Sequence, residues 1–210
     1  MTRLNAMEVE VAALLLRSPF ETYTVYGLAK KLDKYVSQVQ KAVKVLQRLK
    51  VVSVKKIGPR TSNCTLDLST ADTDILSISS LHAKGLLLER KLKIRVISKE
   101  IEKALAGSVY IMALFGSYAK GAETSRSDVD LCIIIQDERE VQKFKSRVRT
   151  ALEGFSYRVH VNVFTADWFY EMLKKKGTVG REVLKASVVL HGHDSYYRLV
   201  KRYDQEAGYP

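Results

Sequence analysis

The chain has 210 residues, 46% hydrophobic, 28% charged and 9% aromatic, with a formal net charge of +12. That composition supplies an ordinary apolar core and excludes a disordered or collagen-like chain. No apolar run approaches the roughly 20 residues of a membrane span, glutamates stand in MTRLNAMEVEV where a signal peptide has its apolar stretch, and two cysteines, Cys64 and Cys132, are too few for a disulfide framework or a four-ligand zinc site. The expectation is a protein of the reducing cytoplasm with no membrane attachment. A pI near 9.6 is the footprint of a polyanionic partner, most simply nucleic acid. The excess is uneven: residues 1–68 hold twelve Lys and Arg against five Asp and Glu, a third of the chain with more than half of the net charge.

In chain order, Met7, Val11, Leu14 and Leu15 fall at helical spacing, and Pro19 ends that element. A second short helix is marked by Leu28, Ala29 and Leu32, with Thr24 as its N-cap. KYVSQVQKAVKVLQRLK then sets Val36, Val39, Val43, Leu46 and Leu49 on one stripe, leaving Gln38, Gln40, Lys41 and Lys44 on other faces. VVSVKKI and NCTLDLS read as two strands joined by Gly58-Pro59-Arg60-Thr61-Ser62. Three helices followed by a basic hairpin resemble a winged helix-turn-helix domain, here over residues 1–68. The resemblance implies that the third helix enters the major groove of double-stranded DNA and that the hairpin touches adjacent backbone. Gln38 and Gln40 would then read adenine edges, while Lys41, Lys44, Lys55, Lys56 and Arg60 would neutralise phosphates. Such domains also serve as protein-docking modules, and that alternative stays open.

Residues 69–80, STADTDILSISS, are rich in Ser and Thr and free of Lys and Arg, and read as a linker. Residues 81–107 read as one long or two short helices whose apolar residues exceed a single stripe, which suits core packing or a homodimer contact.

From Ser108 the run VYIMALF has strand length and ends at Gly116-Ser117. GSYAKGAETSRSDVDLCIII follows, with a second apolar strand directly after Asp128-Val129-Asp130. Gly116 lets the backbone turn sharply and approach a ligand. Ser117 and the amides after it open a helix whose free N–H groups suit a phosphate. Asp128 and Asp130, two apart on a strand, point to one face. Two carboxylates beside a phosphate cradle are what a hard Mg²⁺ ion requires.

GSYAKG followed by SDVDL resembles the glycine-serine and Asp-x-Asp motif of the DNA polymerase β-like nucleotidyltransferases, above all the minimal nucleotidyltransferases of archaea and bacteria. REVLKASVVLHG resembles that family's closing helix and last strand, so the likeness runs from about residue 108 to 192, within a domain spanning 81–210. The fold implied is α/β (α+β), a mixed-sheet nucleotidyltransferase domain after a mainly helical N-terminal one. The activity implied is transfer of a nucleoside monophosphate from an NTP with Mg²⁺ or Mn²⁺. Gly116 and Ser117 would hold the triphosphate, Lys120 and Arg126 would add charge, and Asp128 and Asp130 would be catalytic metal ligands. The family resemblance also implies a small helical partner of toxin type.

Active members carry a third carboxylate on a following strand. Here that strand is SYRVHVNVFTADWF, and the position is held by Asn162 or, two residues earlier, by His160. An amide can ligate Mg²⁺ but brings no charge and no base, whereas a neutral imidazole can accept a proton. Asp167 sits at the next helix start, where an N-cap explains it. Two readings follow: a metal-dependent nucleotidyltransferase, or a DNA-binding regulator or antitoxin-like protein whose nucleotidyltransferase domain no longer catalyses. Of the remaining features, His191-Gly192-His193 fits a surface turn, and YYRLVKRYDQEAGYP fits a packed helix.

Overall fold

The computed structural model describes residues 4–59, 61–104 and 110–207. The N-terminal part runs α1 (Ala6–Leu16), β1 (Tyr23–Thr24), α2 (Val25–Leu32), α3 (Val36–Arg48), β2 (Val52–Lys56) and β3 (Ser62–Leu66). Local chemistry sets its boundaries. The Asn5 side chain accepts from Glu8 N at 3.0 Å and the Glu8 carboxylate accepts from Asn5 N at 2.8 Å, a reciprocal cap. Thr24 Oγ1 accepts from Gly27 N at 3.0 Å and opens α2. Along α3, Val39, Val43 and Leu46 are buried as the stripe requires, but Val36, in the first turn, is exposed. The three strands form an antiparallel sheet in the order β1-β3-β2.

The rest of the chain adds α4 (Thr73–Arg90), α5 (Leu92–Ala104), β4 (Ile111–Phe115), α6 (Gly116–Lys120), β5 (Val129–Ile135), a 3₁₀ turn at Glu138–Glu140 and α7 (Val141–Leu152). Then come β6 (Val159–Thr165), α8 (Ala166–Lys174), α9 (Val179–Lys185), β7 (Ser187–His191) and α10 (His193–Ala207). The second sheet has the order β6-β5-β4-β7 and is mixed: β5 and β6 run parallel, the other pairs antiparallel. The architecture is therefore α/β, a mixed sheet with helices behind a mainly helical N-terminal region.

The segment read as a linker is mostly helix. Asp72 caps α4 by accepting from Asp74 N at 2.8 Å, and Ser79 and Ser80 are buried. Ser79 and Ser80 face protein rather than water because α4 packs between α1 and α10. Ser80 Oγ lies 2.8 Å from His193 Nδ1, so the His191-Gly192-His193 turn is only partly a surface feature.

The sheet's alternation divides the core. One face, with Met112, Leu114, Leu131, Ile133 and Leu190, is covered by α5 and α7. The other, with Ala113, Phe115, Cys132 and Ile134, belongs to an apolar cluster that continues through α10 and α4 into α1 and α3. Both cysteines are free and buried in that cluster. At the seam, Ser187 N donates to Arg17 O at 3.1 Å and Arg17 Nη2 to Ala119 O at 2.5 Å. No described helix is long and apolar enough to cross a membrane.

Candidate functional site

The site forms where β4 ends beside the start of β5. Antiparallel pairing sets Phe115 opposite Asp130, so the residue after Phe115 turns directly over that carboxylate. That residue is Gly116, at φ +71, and a Cβ there would collide with Asp130 Oδ2. Only glycine meets both conditions, the left-handed backbone and the missing side chain. α6 then makes little more than one turn and closes on Gly121 at φ +70. Asp128 precedes β5 and Asp130 lies within it, with the buried Val129 between them. The two carboxylates therefore lie on one face, each side chain 28% exposed.

Parallel pairing of β5 with β6 sets the two expected third-position residues at different distances from the aspartates. Asp130 pairs with His160, whereas Asn162 pairs with the buried Cys132, one pleat further from the aspartates. His160 Nδ1 lies 3.4 Å from Asp130 Oδ1, and Nε2 lies 3.8 Å from Asp128 Oδ2. Of the two expected residues, His160 is therefore the one that lies beside the aspartates. Neither is a carboxylate.

Two adjacent, partly exposed carboxylates suit a hard divalent cation, and such an ion commonly takes only one or two protein carboxylates. Among the described residues no group of three or more His, Cys, Asp or Glu is arranged to hold a metal. Ser117 lies in α6, half-buried, and its carbonyl accepts from Ala122 N at 3.0 Å. Lys120 is exposed at the end of α6, where its charge helps lower the Glu182 carboxyl after the larger effect of Lys185. Arg126 is exposed in the following loop, its N–H on Thr124 Oγ1 at 3.3 Å. Asp167 is not the cap of α8: Thr165 accepts from Trp168 N at 3.3 Å, and Asp167 is in the first turn.

Residues 93–183 match the family model of the nucleotidyltransferase domain. That segment holds Gly116, Ser117, both aspartates and His160, and is less than half of the chain. One similar solved structure is a toxin-antitoxin crystallised with AMP-PNP, at 17% identity over 52% of this chain and 89% of that one, with a TM-score of 0.34. Another is a mutant of the toxin-antitoxin MntA-HpeT, at 16% identity over 53% and 87%, with a TM-score of 0.33. No curated protein matches the chain.

The second group of expected residues lies on the N-terminal part. Gln38, Gln40, Lys41 and Lys44 are exposed on α3, and Lys55 and Lys56 on β2. Arg60 lies outside the described residues. Tyr26 on α2 and Tyr35 at the start of α3 are 68% and 78% exposed. The sequence signals them only by their position off the apolar stripes.

Proposed function

We propose that the protein transfers a nucleoside monophosphate from an NTP to a hydroxyl on a macromolecule, using a divalent cation held by Asp128 and Asp130. The observation that carries this reading is the packing of Gly116 on Asp130 beside Asp128, inside the segment matching a nucleotidyltransferase domain. Mg²⁺ or Mn²⁺ bound to these carboxylates would supply the positive charge that a triphosphate needs to approach them. Gly116 lets the backbone come close to the phosphates, and Ser117 follows it. The acceptor oxygen bonds to the α-phosphorus, the bond from that phosphorus to the bridging oxygen breaks, and pyrophosphate leaves. We assign acceptance of the hydroxyl proton to His160, which is exposed beside both carboxylates. Purified protein incubated with labelled NTPs, Mg²⁺ or Mn²⁺ and cell extract should label a discrete acceptor. Asp128→Asn and Asp130→Asn should abolish the label, and unchanged labelling would refute the reading.

The N-terminal part we read as a winged helix that binds duplex DNA. The order α1-β1-α2-α3-β2-β3 with an antiparallel three-stranded sheet supports it, as does the exposed row of Gln38, Lys41 and Lys44 on α3. Fluorescence titration should show DNA binding that weakens steeply with salt and is reduced by Lys41→Ala or Lys55→Ala. A second reading, a DNA-binding regulator with an inert nucleotidyltransferase domain, is favoured by one observation: the residue paired with Asp130 on β6 is a histidine and not a carboxylate. DNA binding with no labelling of any acceptor would select it.

A further inference from the structure

A cavity of about 560 Å³ opens between α1 and α2 on one side and α4 and α6 on the other. It contains none of Gly116, Asp128, Asp130 or His160, although Tyr118 and Gly121 of the α6 turn form part of its wall. Its size falls within the roughly 300–1,000 Å³ of small-molecule sites.

The lining is cationic beyond its own needs. Arg17, Lys31, Lys34, Arg90 and Lys91 meet only two carboxylates, Glu10 and Glu123. Both carboxylates are taken, Glu10 by Lys34 at 3.6 Å and Glu123 by Lys91. Among the described residues, Arg17, Lys31 and Arg90 have no carboxylate within ion-pair distance. Arg17 is held below the usual guanidinium range, first by burial, with the Arg90 charge adding to it. Like charges gathered around a half-buried space are relieved by an anion.

Two further features describe the rest of the occupant. Glu123 Oε2 and His82 Nε2 are buried without a hydrogen-bond partner, and both residues line the cavity. Glu123 is held below the usual carboxylate range, chiefly by the hydrogen bond from Lys91, so its second oxygen accepts and cannot donate. An occupant carrying an O–H or N–H group can donate to it. Leu14, Leu32, Leu86 and Val188 add an apolar wall, which inorganic phosphate would leave uncovered.

We infer that this cavity binds a nucleoside phosphate, with the phosphates on Arg17, Lys31 and Arg90, a hydroxyl or amino group on Glu123, and the nucleoside against the apolar wall. The site is distinct from the transfer site and does not depend on its activity. Because Arg17 also holds Ala119 O beside the α6 turn, an occupant on Arg17 would tie the N-terminal helices to that turn.

The test uses the full chain carrying Asp128→Asn and Asp130→Asn, in EDTA, so that the transfer site cannot take up metal-bound triphosphate. Isothermal titration with ATP, GTP, CTP and UTP should show one saturable site for at least one of them. Tripolyphosphate should bind at least tenfold more weakly. Adding Lys31→Glu and Arg90→Glu, both at exposed positions, should weaken nucleotide binding at least tenfold with an unchanged melting curve. Three results overturn the inference: no saturable binding of any of the four, binding unaffected by the charge reversal, or tripolyphosphate binding as tightly as the nucleotides. No turnover enters the measurement, so an inactive transferase leaves it intact, and a negative result here leaves the transferase reading untouched.

Discussion

At the scale of single residues, Gly116 separates what the backbone needs from what the site needs. Gly116 and Gly177 have nearly the same left-handed backbone, φ +71 and +74, but a Cβ on Gly177 meets nothing within 4 Å. Alanine at either position costs about 1–2 kcal/mol for the backbone alone. Gly116→Ala in addition drives a methyl group into the Asp130 carboxylate. Both variants should lose a few degrees in Tm, but only Gly116→Ala should lose transfer activity, by at least about 100-fold, when label incorporation is measured beside thermal melting. His160 makes a different prediction if its role is the proposed proton acceptance and not phosphate binding. His160→Ala should lower kcat by about 10²–10⁴-fold, as expected for loss of a positioned proton acceptor. The NTP dissociation constant, read by titration, should stay within about twofold. A rise in Kd with kcat preserved would make His160 a binding residue instead.

At the scale of elements, the pairing of α4 with α10 is the least expected feature of the fold, and it carries a pH dependence. His193 opens α10 against Ser80 of α4, and burial, with lesser effects from Lys84 and His191, lowers its pKa from 6.5 to about 4. Between those values the unfolded chain takes up a proton that the folded chain refuses. The stability that depends on the neutral ring is therefore complete above pH 6.5 and is lost as pH falls toward 4. After allowance for partial exposure the loss is about 2 kcal/mol. Urea midpoints from pH 7.5 to 4.5 should fall less steeply in His193→Asn than in the wild-type chain, whose carboxylates titrate equally in both. This contact also shows why part of the fold was hidden. Helical periodicity along α1 and α3, the Thr24 cap, the strand ends at Gly116 and the Asp-x-Asp spacing are local, and a sequence displays them. The partner of Ser80 is 113 residues away, so a run of serines reads as a linker until α10 covers it. His160 was hidden for the same reason. Alternation places His160 and Asn162 on one face of β6, and only the register against β5 says which meets Asp130. The cavity residues Arg17, His82 and Glu123 follow no period at all, since α1, α4 and the loop after α6 bring them together.

At the scale of the whole molecule, the charge of +12 no longer describes one basic protein surface. Part of its N-terminal share is displayed on α3 and β2, and the cations of the cavity come from both halves of the chain. The halves are not loosely tethered beads. Leu15 of α1 and Leu184 of α9 belong to one continuous apolar cluster, at 0% and 1% exposure, and the backbone hydrogen bond from Ser187 N to Arg17 O crosses the same seam. A shared core couples unfolding, because neither half can expose its side without stripping the other. Scanning calorimetry of the full chain should therefore show one transition in place of two. Leu15→Ala and Leu184→Ala should each lower that same transition by the equivalent of about 2–5 kcal/mol, the usual cost of emptying a buried leucine site. If Leu15→Ala instead split off a low-temperature transition while the remainder melted unchanged, the N-terminal helices would fold as an independent unit, and the cavity they share with α4 and α6 would open and close with their docking.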